Sequence, residues 1–450
     1  MRRALEFPFY LSVGVGMALS CSSFMMVAGL FQVTTLLWVL LALVLGGVFC
    51  TVLALSIGEL AGMYPSSPAI VTYFKQAFGA RAALVFVYLY LIFIVMIAGV
   101  ESYLFARVTR AIVHGPPPLV IVVILLVCVV AANLLGLELP RSLQMVITFA
   151  AVLVILALGV LGSIHDGGAA RHALRVGSVG SGLADLPAAL GLAVFLFMGF
   201  EWVTPVGLRA AAYARQIPLA MPVAILALAV AYGFFSIGLG ASVPRASLKD
   251  ELTPQLPYFH HVLGRGGTYL AGVLSLSAIF STFNAGIMSA SRLVFAVARE
   301  GHLPRFCASI RLESQAPIGA VLLLGGLGMA SAFVVVGLHV QLLAAVIGAA
   351  IVCVIYAGYM GAVIRLRRSD PDRPRPFRNP VSSGWQQGVI ALLLLISVAT
   401  LFSLPGKWPE AVAATAVSGL LAWLLSGWSI RRSPRPALAR RGVAPSARAR

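Results

Sequence analysis

A single carboxylate interrupts one of the most apolar stretches of this sequence. Residues 191–207 begin as an apolar helix pattern and then contain Gly199, Glu201, Thr204 and Pro205. Hydrocarbon offers no water to backbone groups freed by a broken helix, so a break is tolerated only where protein or a wet cavity surrounds it. An ionisable side chain at that depth marks a substrate or ion pathway. The alternative is a helix that ends near Gly199 and leaves Glu201 in an interfacial loop.

The composition of the chain indicates what kind of protein surrounds this carboxylate. Hydrophobic residues make up 60% of the 450 residues and charged residues only 10%, against roughly half and a quarter in soluble domains. The chain is therefore predicted to be a polytopic membrane protein without a second folded domain. Its net charge of +18 is expected to meet anionic lipid rather than nucleic acid. The five cysteines show neither metal spacing nor a disulfide framework, and no cofactor is expected.

Twelve apolar runs are long enough to cross a bilayer, which requires roughly 20 residues each. We number these runs spans 1 to 12. They lie at about residues 8–30, 34–63, 82–112, 118–137, 142–162, 186–207, 218–243, 267–298, 316–338, 340–364, 386–404 and 409–430. The remaining residues, 431–450, form a basic tail that is predicted to be disordered.

Positive charge is unequally distributed between alternate loops. If the N-terminus is cytoplasmic, 24 of the 32 Lys and Arg residues fall on the inner side, which is a strong positive-inside bias. We therefore predict an integral protein of a bacterial inner membrane with both termini in the cytoplasm. The Arg-rich tail is expected to contact lipid, and a homo-oligomer remains open.

Span 1 is expected to contain a second interruption. Small and hydroxyl residues occupy the middle of this span and end in Ser20, Cys21, Ser22 and Ser23. Such residues also serve close helix packing. Two interrupted segments at corresponding positions of two halves are nevertheless the best sequence indication of a midplane site in a transporter. We therefore expect residues 20–23 to lie beside the interruption of span 6.

Four blocks of sequence follow one another along the chain at a specific spacing. They are ALSIGELAGMYPSSP at 54–68 with YFKQAFG at 73–79, MGFEWVT at 198–204 with RQIPLAMP at 215–222, FNAGIMSASRLVFAVAREGHLP at 283–304, and RPRPFR at 373–378. Together they resemble the motifs of the amino acid–polyamine–organocation (APC) transporter superfamily over nearly the whole chain.

The resemblance implies a leucine-transporter-type fold. This is an all-α polytopic membrane protein of 12 transmembrane helices with a 5+5 inverted repeat and broken helices 1 and 6. Residues 1–430 would form one transporter domain, with repeats at about 8–162 and 186–364 and peripheral helices at about 386–404 and 409–430. Substrate would bind between the broken helices, where free N–H groups at a helix N-terminus attract a carboxylate and free carbonyls attract an ammonium.

The same resemblance implies a set of site residues. Glu201 is expected to hold substrate or sense protons, with a structural tie to backbone N–H groups as the alternative. Phe197, Phe200 and Trp202 could cap the substrate or act as a gate, with Phe200 preferred, or could face lipid. The implied substrate-binding residues are Ser20, Cys21, Ser22, Ser23, Phe197, Gly199, Phe200, Glu201, Trp202 and Asn284.

Two departures from the family pattern bear on the substrate and its coupling. Where the family usually has Gly-Ser-Gly-Ile-Phe, this chain has Ser-Cys-Ser-Ser-Phe at 20–24. Glycines that allow backbone to approach a carboxylate have become serines, which favours a smaller or non-carboxylate amine. The lysine of span 5 that some members use as a proton-coupled cation aligns with Ala151.

Two further acids and two hydroxyl residues complete the candidates. Glu101 lies about twenty residues into span 3 and is expected near the outer mouth, where it attracts cations, gates the site or, preferably, pairs with Arg107 or water. Glu59 is predicted to make a structural or gating contact on the cytoplasmic side. Ser281 and Thr282 are weak sodium-site candidates that are expected to bond back to their own helix, and no other metal site is predicted.

These observations favour one function over two alternatives. The chain is predicted to be a secondary transporter of an amino acid or related organic amine that works by alternating access, either proton-coupled or as an exchanger. A sensing or receptor role on the same fold is the alternative. A membrane-embedded enzyme is least favoured, because the seven histidines fall in loops or at span ends.

Overall fold

Continuous apolar sequence makes this chain fold into helices, because a helix satisfies its backbone hydrogen bonds within one segment. The computed structural model describes residues 6–66, 68–113, 115–137, 140–165, 183–206, 212–248, 251–311, 316–404 and 406–432, and within these ranges it contains helices and no β-strand. Gly207 and the basic tail from residue 433 onward lie outside the described residues.

Fourteen α-helices follow one another along the described chain. They are α1 (Glu6–Ala18), α2 (Cys21–Val33), α3 (Leu36–Met63), α4 (Ala69–Phe78), α5 (Ala80–Ile112), α6 (Pro118–Leu134), α7 (Arg141–His165), α8 (Leu186–Phe197), α9 (Ile217–Ser242), α10 (Gln255–Arg299), α11 (Ile318–Leu338), α12 (Gln341–Ser369), α13 (Ser383–Leu401) and α14 (Trp408–Arg432). Short 3₁₀ turns include Phe200–Val206 and Arg305–Ala308, and a π-helical turn precedes α9.

The described residues include ten helices that are long and apolar enough to cross a membrane, or eleven if the bent pair α1 and α2 forms one span. A shorter apolar helix, α6, has 17 residues. An apolar helix thus lies on each predicted run, and the chain is an all-helical integral membrane protein. Two features were not predicted: the short helix α4, and a kink at Gly264 (φ 63°) that separates the first turns of α10 from the rest.

Burial separates the centre of the helical assembly from its edge. In the span that contains α8 and in α12, 78% of the most apolar stretch is buried inside the protein, compared with 22% in α14. The carboxylate-bearing segment is therefore central, and α14 lies at the periphery against α5. This arrangement places the interrupted helix in protein rather than in lipid, as its freed backbone groups require.

Two helices break at the centre and cross there. The first break is Leu19 and Ser20, where α1 and α2 bend by 54°. The second break begins at Met198 after α8 and continues through the 3₁₀ turn. Gly199 has a φ of 117°, and a Cβ at this position would lie 2.7 Å from the backbone N of Ala18. Glycine is required here by both conformation and space.

Candidate functional site

A cavity of about 110 Å³ lies between the two breaks; we call it the central cavity. Its wall is formed by the two breaks together with α5 and α10, and most of it is apolar. Of the described residues in this wall, only Glu101 carries a formal charge. Its apolar lining residues include Phe93, Ile97, Phe195, Met198, Trp202 and Ile287.

Glu101 reaches from α5 to the first break. The residue is 3% exposed, and its Oε1 accepts a hydrogen bond from the backbone N of Ser22 at 3.1 Å. Ser22 belongs to the first turn of α2, where backbone N–H groups lack partners within the helix. The hydroxyls of Ser20 and Ser22 and the N–H of Cys21 also lie close to this carboxylate. Its Oε2 is buried and accepts no hydrogen bond from a described residue.

Of the preferred prediction for Glu101, pairing with Arg107 or with water at the interface, the part that names Arg107 is wrong. Arg107 instead approaches the Glu251 carboxylate, with 3.6 Å between Nη2 and Oε1. The error comes from counting depth along span 3. A residue count along α5 gives no direction for the Glu101 side chain, which lies against the first turn of α2.

Glu201 lies in the second break and points away from the central cavity. It is 5% exposed, and its Oε2 accepts hydrogen bonds from the N–H of Gly199 at 3.0 Å and the hydroxyl of Tyr356 at 3.1 Å. The phenol of Tyr90 also lies near this carboxylate. Oε1 is buried without a hydrogen bond from a described residue. The backbone tie that was the alternative prediction is thus present, and it leaves half of the carboxylate free.

A second cavity, of about 40 Å³, contains the Glu201 carboxylate. Residues 68–70 at the start of α4 line it, together with Tyr90 and Tyr359. Trp202 lines both this cavity and the central one, and its ring lies 6.0 Å from that of Tyr90. One indole therefore separates the two carboxylates into two compartments.

The other aromatic residues of the second break pack into protein. Phe200, the preferred gate, is fully buried against Tyr356, with ring centroids 5.9 Å apart. Phe197 packs against Tyr232 and over Gly46 of α3. Neither ring belongs to the wall of the central or the second cavity. Of these three aromatic residues, Trp202 is the one that lines both cavities.

The serines of the first break bond to one another and to freed backbone groups. Ser20 and Ser22 pair through their hydroxyls at 2.9 Å, and the Ser23 hydroxyl donates to the carbonyl of Ala18 at 2.7 Å. That carbonyl also accepts from the hydroxyl of Tyr232. These bonds satisfy the carbonyl end of α1. The three serines line the central cavity, whereas Cys21 points away from it and accepts a hydrogen bond from Gln255.

The candidates on α10 divide between different places. Thr282 lines the central cavity and donates to the carbonyl of Gly16 at 3.4 Å, so the expected bond to its own helix is wrong for this residue. Ser281 is not part of the cavity wall. Asn284 accepts from Asn133 at 2.9 Å and lines a separate cavity of about 220 Å³. Within the described ranges, no three His, Cys, Asp or Glu side chains cluster as metal ligands would.

Glu59 forms an ion-pair cluster away from both cavities. It is fully buried and accepts two hydrogen bonds from Arg367, at 3.0 and 2.5 Å, and one from the N–H of Asn379 at 2.9 Å. Arg375 adds an ion pair at 3.3 Å. The cluster fastens the RPRPFR segment and the end of α12 to α3.

Sequence reasoning missed the apolar wall of the central cavity and the tyrosines around Glu201. Phe93 and Ile97 are apolar residues in an apolar span, and nothing in their types distinguishes a cavity wall from a lipid-facing surface. Tyr90 and Tyr356 did carry a signal. A phenol in the middle of a span needs a hydrogen-bond partner, and both lie beside Glu201.

Comparisons with known proteins agree with this geometry. A family model described as "Amino acid permease" matches residues 7–425. L-asparagine permease 2 of Mycobacterium tuberculosis is 24% identical over 424 residues, covering 88% of this chain and 84% of the relative. The aromatic amino acid transport protein of Corynebacterium glutamicum is 27% identical over 318 residues, covering 67% and 66%. Among solved structures, the manganese transporter of Eremococcus coleocola has a TM-score of 0.63 at 14% identity, covering 96% and 95%, and shows a similar fold.

Proposed function

This chain belongs to the amino acid permease family, and we propose that it is a secondary transporter that carries an amino acid or related organic amine by alternating access. One observation carries the proposal: a buried cavity lies where two broken helices cross, and Trp202 separates it from a second cavity that contains Glu201. Transporters of this architecture bind their substrate near the bilayer midplane, between interrupted helices. The names of the relatives support a small amine-bearing substrate.

We place the described helices in a 12-span arrangement within one domain, residues 1–430. Counting α1 with α2 as one span and adding α6 gives this number. Inverted repeats at about 8–162 and 186–364 would put one broken helix at the start of each half. The excess of Lys and Arg in alternate loops supports cytoplasmic termini in a bacterial inner membrane, with anionic lipid at the basic segments.

We assign substrate contact to the residues that line the central cavity. These are Ser20, Ser22, Ser23, Glu101, Gly199 and Trp202. Cys21, Phe197, Phe200 and Asn284 contact other parts of the protein and have no part in the proposed contact. Thr282 is proposed to support the first break, because its hydroxyl donates a hydrogen bond to the carbonyl of Gly16.

Trp202 is the proposed inner gate. In the proposed orientation α4 follows the cytoplasmic end of α3, so the second cavity, which residues 68–70 line, lies on the cytoplasmic side of the indole. Release of substrate to the cytoplasm then requires Trp202 to move with the second break. Rocking of the two broken helices against their neighbours achieves this without breaking α5 or α10.

Glu201 is the proposed coupling residue. Its Oε2 is held by Gly199 and Tyr356, while its Oε1 has no hydrogen bond from a described residue. A buried carboxylate with a free oxygen is costly unless a proton or a cation joins it. Binding of a proton at Oε1 would relieve this cost, and release of that proton as the second cavity opens would couple it to transport. If the protein instead exchanges internal for external substrate, Glu201 would keep its proton throughout the transport cycle.

Uptake into proteoliposomes containing the purified full-length protein tests this function. A panel of labelled amino acids and amines is offered under a pH gradient, a sodium gradient, or with unlabelled substrate inside. We expect uptake of a panel member that is driven by the pH gradient or by internal substrate. Glu201→Gln should reduce pH-driven uptake at least about ten-fold, since an amide cannot take up the proton.

Glu251→Gln is the matched control. Glu251 is also an acid, but it pairs with Arg107 and lies outside both cavities. Its replacement should leave uptake within experimental error of the unmodified protein. Uptake that is indifferent to Glu201→Gln would assign Glu201 to structure alone, and no uptake of any panel member would contradict the transport function.

A further inference from the structure

The carboxylate of Glu101 lies where a free substrate would place its own carboxylate. The N-terminus of α2 offers unpaired backbone N–H groups and the positive end of the helix dipole, which together attract an anion. In this protein the N–H of Ser22 already donates to Glu101 Oε1 at 3.1 Å. The hydroxyls of Ser20 and Ser22 lie on the same side. A side chain from α5 therefore fills the anion position of the first break.

A second carboxylate cannot share this position at low cost. An α-carboxylate placed at the same N–H groups would lie within a few ångströms of Glu101, and two like charges at that distance repel strongly in a cavity of low dielectric constant. The wall offers no counter-charge, because none of the described residues in it is a lysine or an arginine.

The remaining oxygen of Glu101 requires a donor. Oε2 is buried and accepts no hydrogen bond from a described residue, although a buried polar atom is normally paired. A primary ammonium has three N–H donors and a positive charge. It would supply the hydrogen-bond donor that Oε2 lacks and the counter-charge that the wall lacks. The wall of the central cavity is mostly apolar and includes the aromatic rings of Phe93, Phe283 and Trp202. Such rings favour a cation and its hydrocarbon substituent.

We infer that Glu101 sets the specificity of the central cavity for a primary organic amine without an α-carboxylate. The ammonium would donate to Glu101 Oε2, and a short alkyl or aryl group would contact the apolar wall. The cavity of about 110 Å³ favours a single small substituent. This inference rests on the proposed transport function and narrows its substrate class from amino acids and amines to amines.

Matched ligands separate charge from size in the test. Binding of leucine, its decarboxylated counterpart isopentylamine, and leucinamide to the purified full-length protein is measured by calorimetry and by thermal stabilisation. Leucinamide has the size of leucine but a neutral carboxamide. The same comparison with phenylalanine, phenethylamine and phenylalaninamide extends it to an aromatic substituent.

We expect each amine and each amide to bind at least about ten-fold more tightly than the corresponding amino acid, because all three present the same ammonium to Glu101 and only the amino acid adds a carboxylate that Glu101 repels. Glu101→Gln keeps a carbonyl oxygen for the N–H of Ser22 but removes the charge, and should reduce the preference about ten-fold or more. Glu251→Gln, which alters an acid outside the cavity, should leave the preference unchanged.

Three results would overturn the inference. The first is tighter binding of the amino acid than of its amine by the unmodified protein, a comparison that needs no variant and leaves the transport function intact. The second is a preference for amines that Glu101→Gln does not alter. The third is binding and uptake of no ligand of either class, which would remove the transport function and the inference with it.

Discussion

The two breaks of this molecule each hold one buried carboxylate, and the two differ in what holds them. Glu101 comes from a neighbouring helix and takes its hydrogen bond from the first turn of α2. Glu201 belongs to its own break and is bonded by Gly199 and by Tyr356 of α12. Each retains one oxygen without a hydrogen bond from a described residue.

The surroundings of the two carboxylates differ, and the proposed roles of Glu101 and Glu201 follow from that difference. Glu101 lines an apolar cavity large enough for a small ligand, whereas Glu201 shares a much smaller cavity with tyrosines. In the inference above, the free oxygen of Glu101 would select a donor on the substrate. The smaller cavity, about 40 Å³ against about 110 Å³, has room for a few water molecules beside the free oxygen. In the proposed function, recognition by Glu101 and coupling by Glu201 would therefore be separated by one side chain, Trp202.

A third buried acid, Glu59, provides a reference for the effect on stability of a carboxylate that is held by ion pairs. Glu59 is bonded by Arg367, Arg375 and Asn379, so Glu59→Gln leaves two guanidinium groups without a charge partner. We expect a loss of about 3–5 kcal/mol in the free energy of unfolding, measured by denaturation in detergent. Glu101→Gln and Glu201→Gln break no ion pair and should lower the free energy of unfolding less. An equal loss in all three variants would contradict the distinction between paired and unpaired acids.

The crossing of the two breaks depends on Gly199. Gly199→Ala places a Cβ 2.7 Å from the backbone of Ala18 at a φ of 117°, so strain and overpacking should cost roughly 2 kcal/mol or more. Thermal unfolding in detergent measures the effect.

Gly233→Ala is the matched control for that substitution. Gly233 lies within α9, and a Cβ there would meet nothing within 4 Å. Since alanine is the better helix former, we expect unchanged stability or a gain of about 0.5–1 kcal/mol. Equal effects of the two substitutions would contradict the close crossing of the breaks.

Two tyrosine hydroxyls distinguish the breaks more finely. Tyr356 donates to Glu201, and Tyr232 donates to the carbonyl of Ala18 beside the first break. Each Tyr→Phe substitution removes one buried donor and should cost about 0.5–1.5 kcal/mol of stability. Only Tyr356→Phe should also alter pH-driven uptake in proteoliposomes. A coupling defect in Tyr232→Phe, with none in Tyr356→Phe, would reverse the assignment.

The helical fold could be predicted because lipid imposes one constraint on the whole chain. Each long apolar run must satisfy its backbone groups internally, and an apolar helix lies on every run. The helix α4 and the kink at Gly264 were missed for the same reason. Both lie outside the apolar runs, where that constraint does not operate.

The candidate site was predicted less completely, because residue types do not show in which direction a side chain points or which neighbour it contacts. The Gly, Glu and Pro residues located the second break, but helical periodicity ends there, so Phe200 and Trp202 could not be told apart as gates. The partner of Glu101 could not be predicted, because a residue count along span 3 does not show which neighbouring helix the side chain faces. Asn284 matched a family motif but lies against Asn133 instead of the cavity.

The most direct test of the division between the two carboxylates compares Glu101→Gln and Glu201→Gln in the same proteoliposomes. Uptake of isopentylamine and leucine is measured with a pH gradient and under exchange. Glu101→Gln should change the ratio of the two substrates while uptake still responds to the pH gradient. Glu201→Gln should keep the ratio and lose the response. If both variants lose the same property, or exchange these effects, the separation of recognition from coupling is wrong.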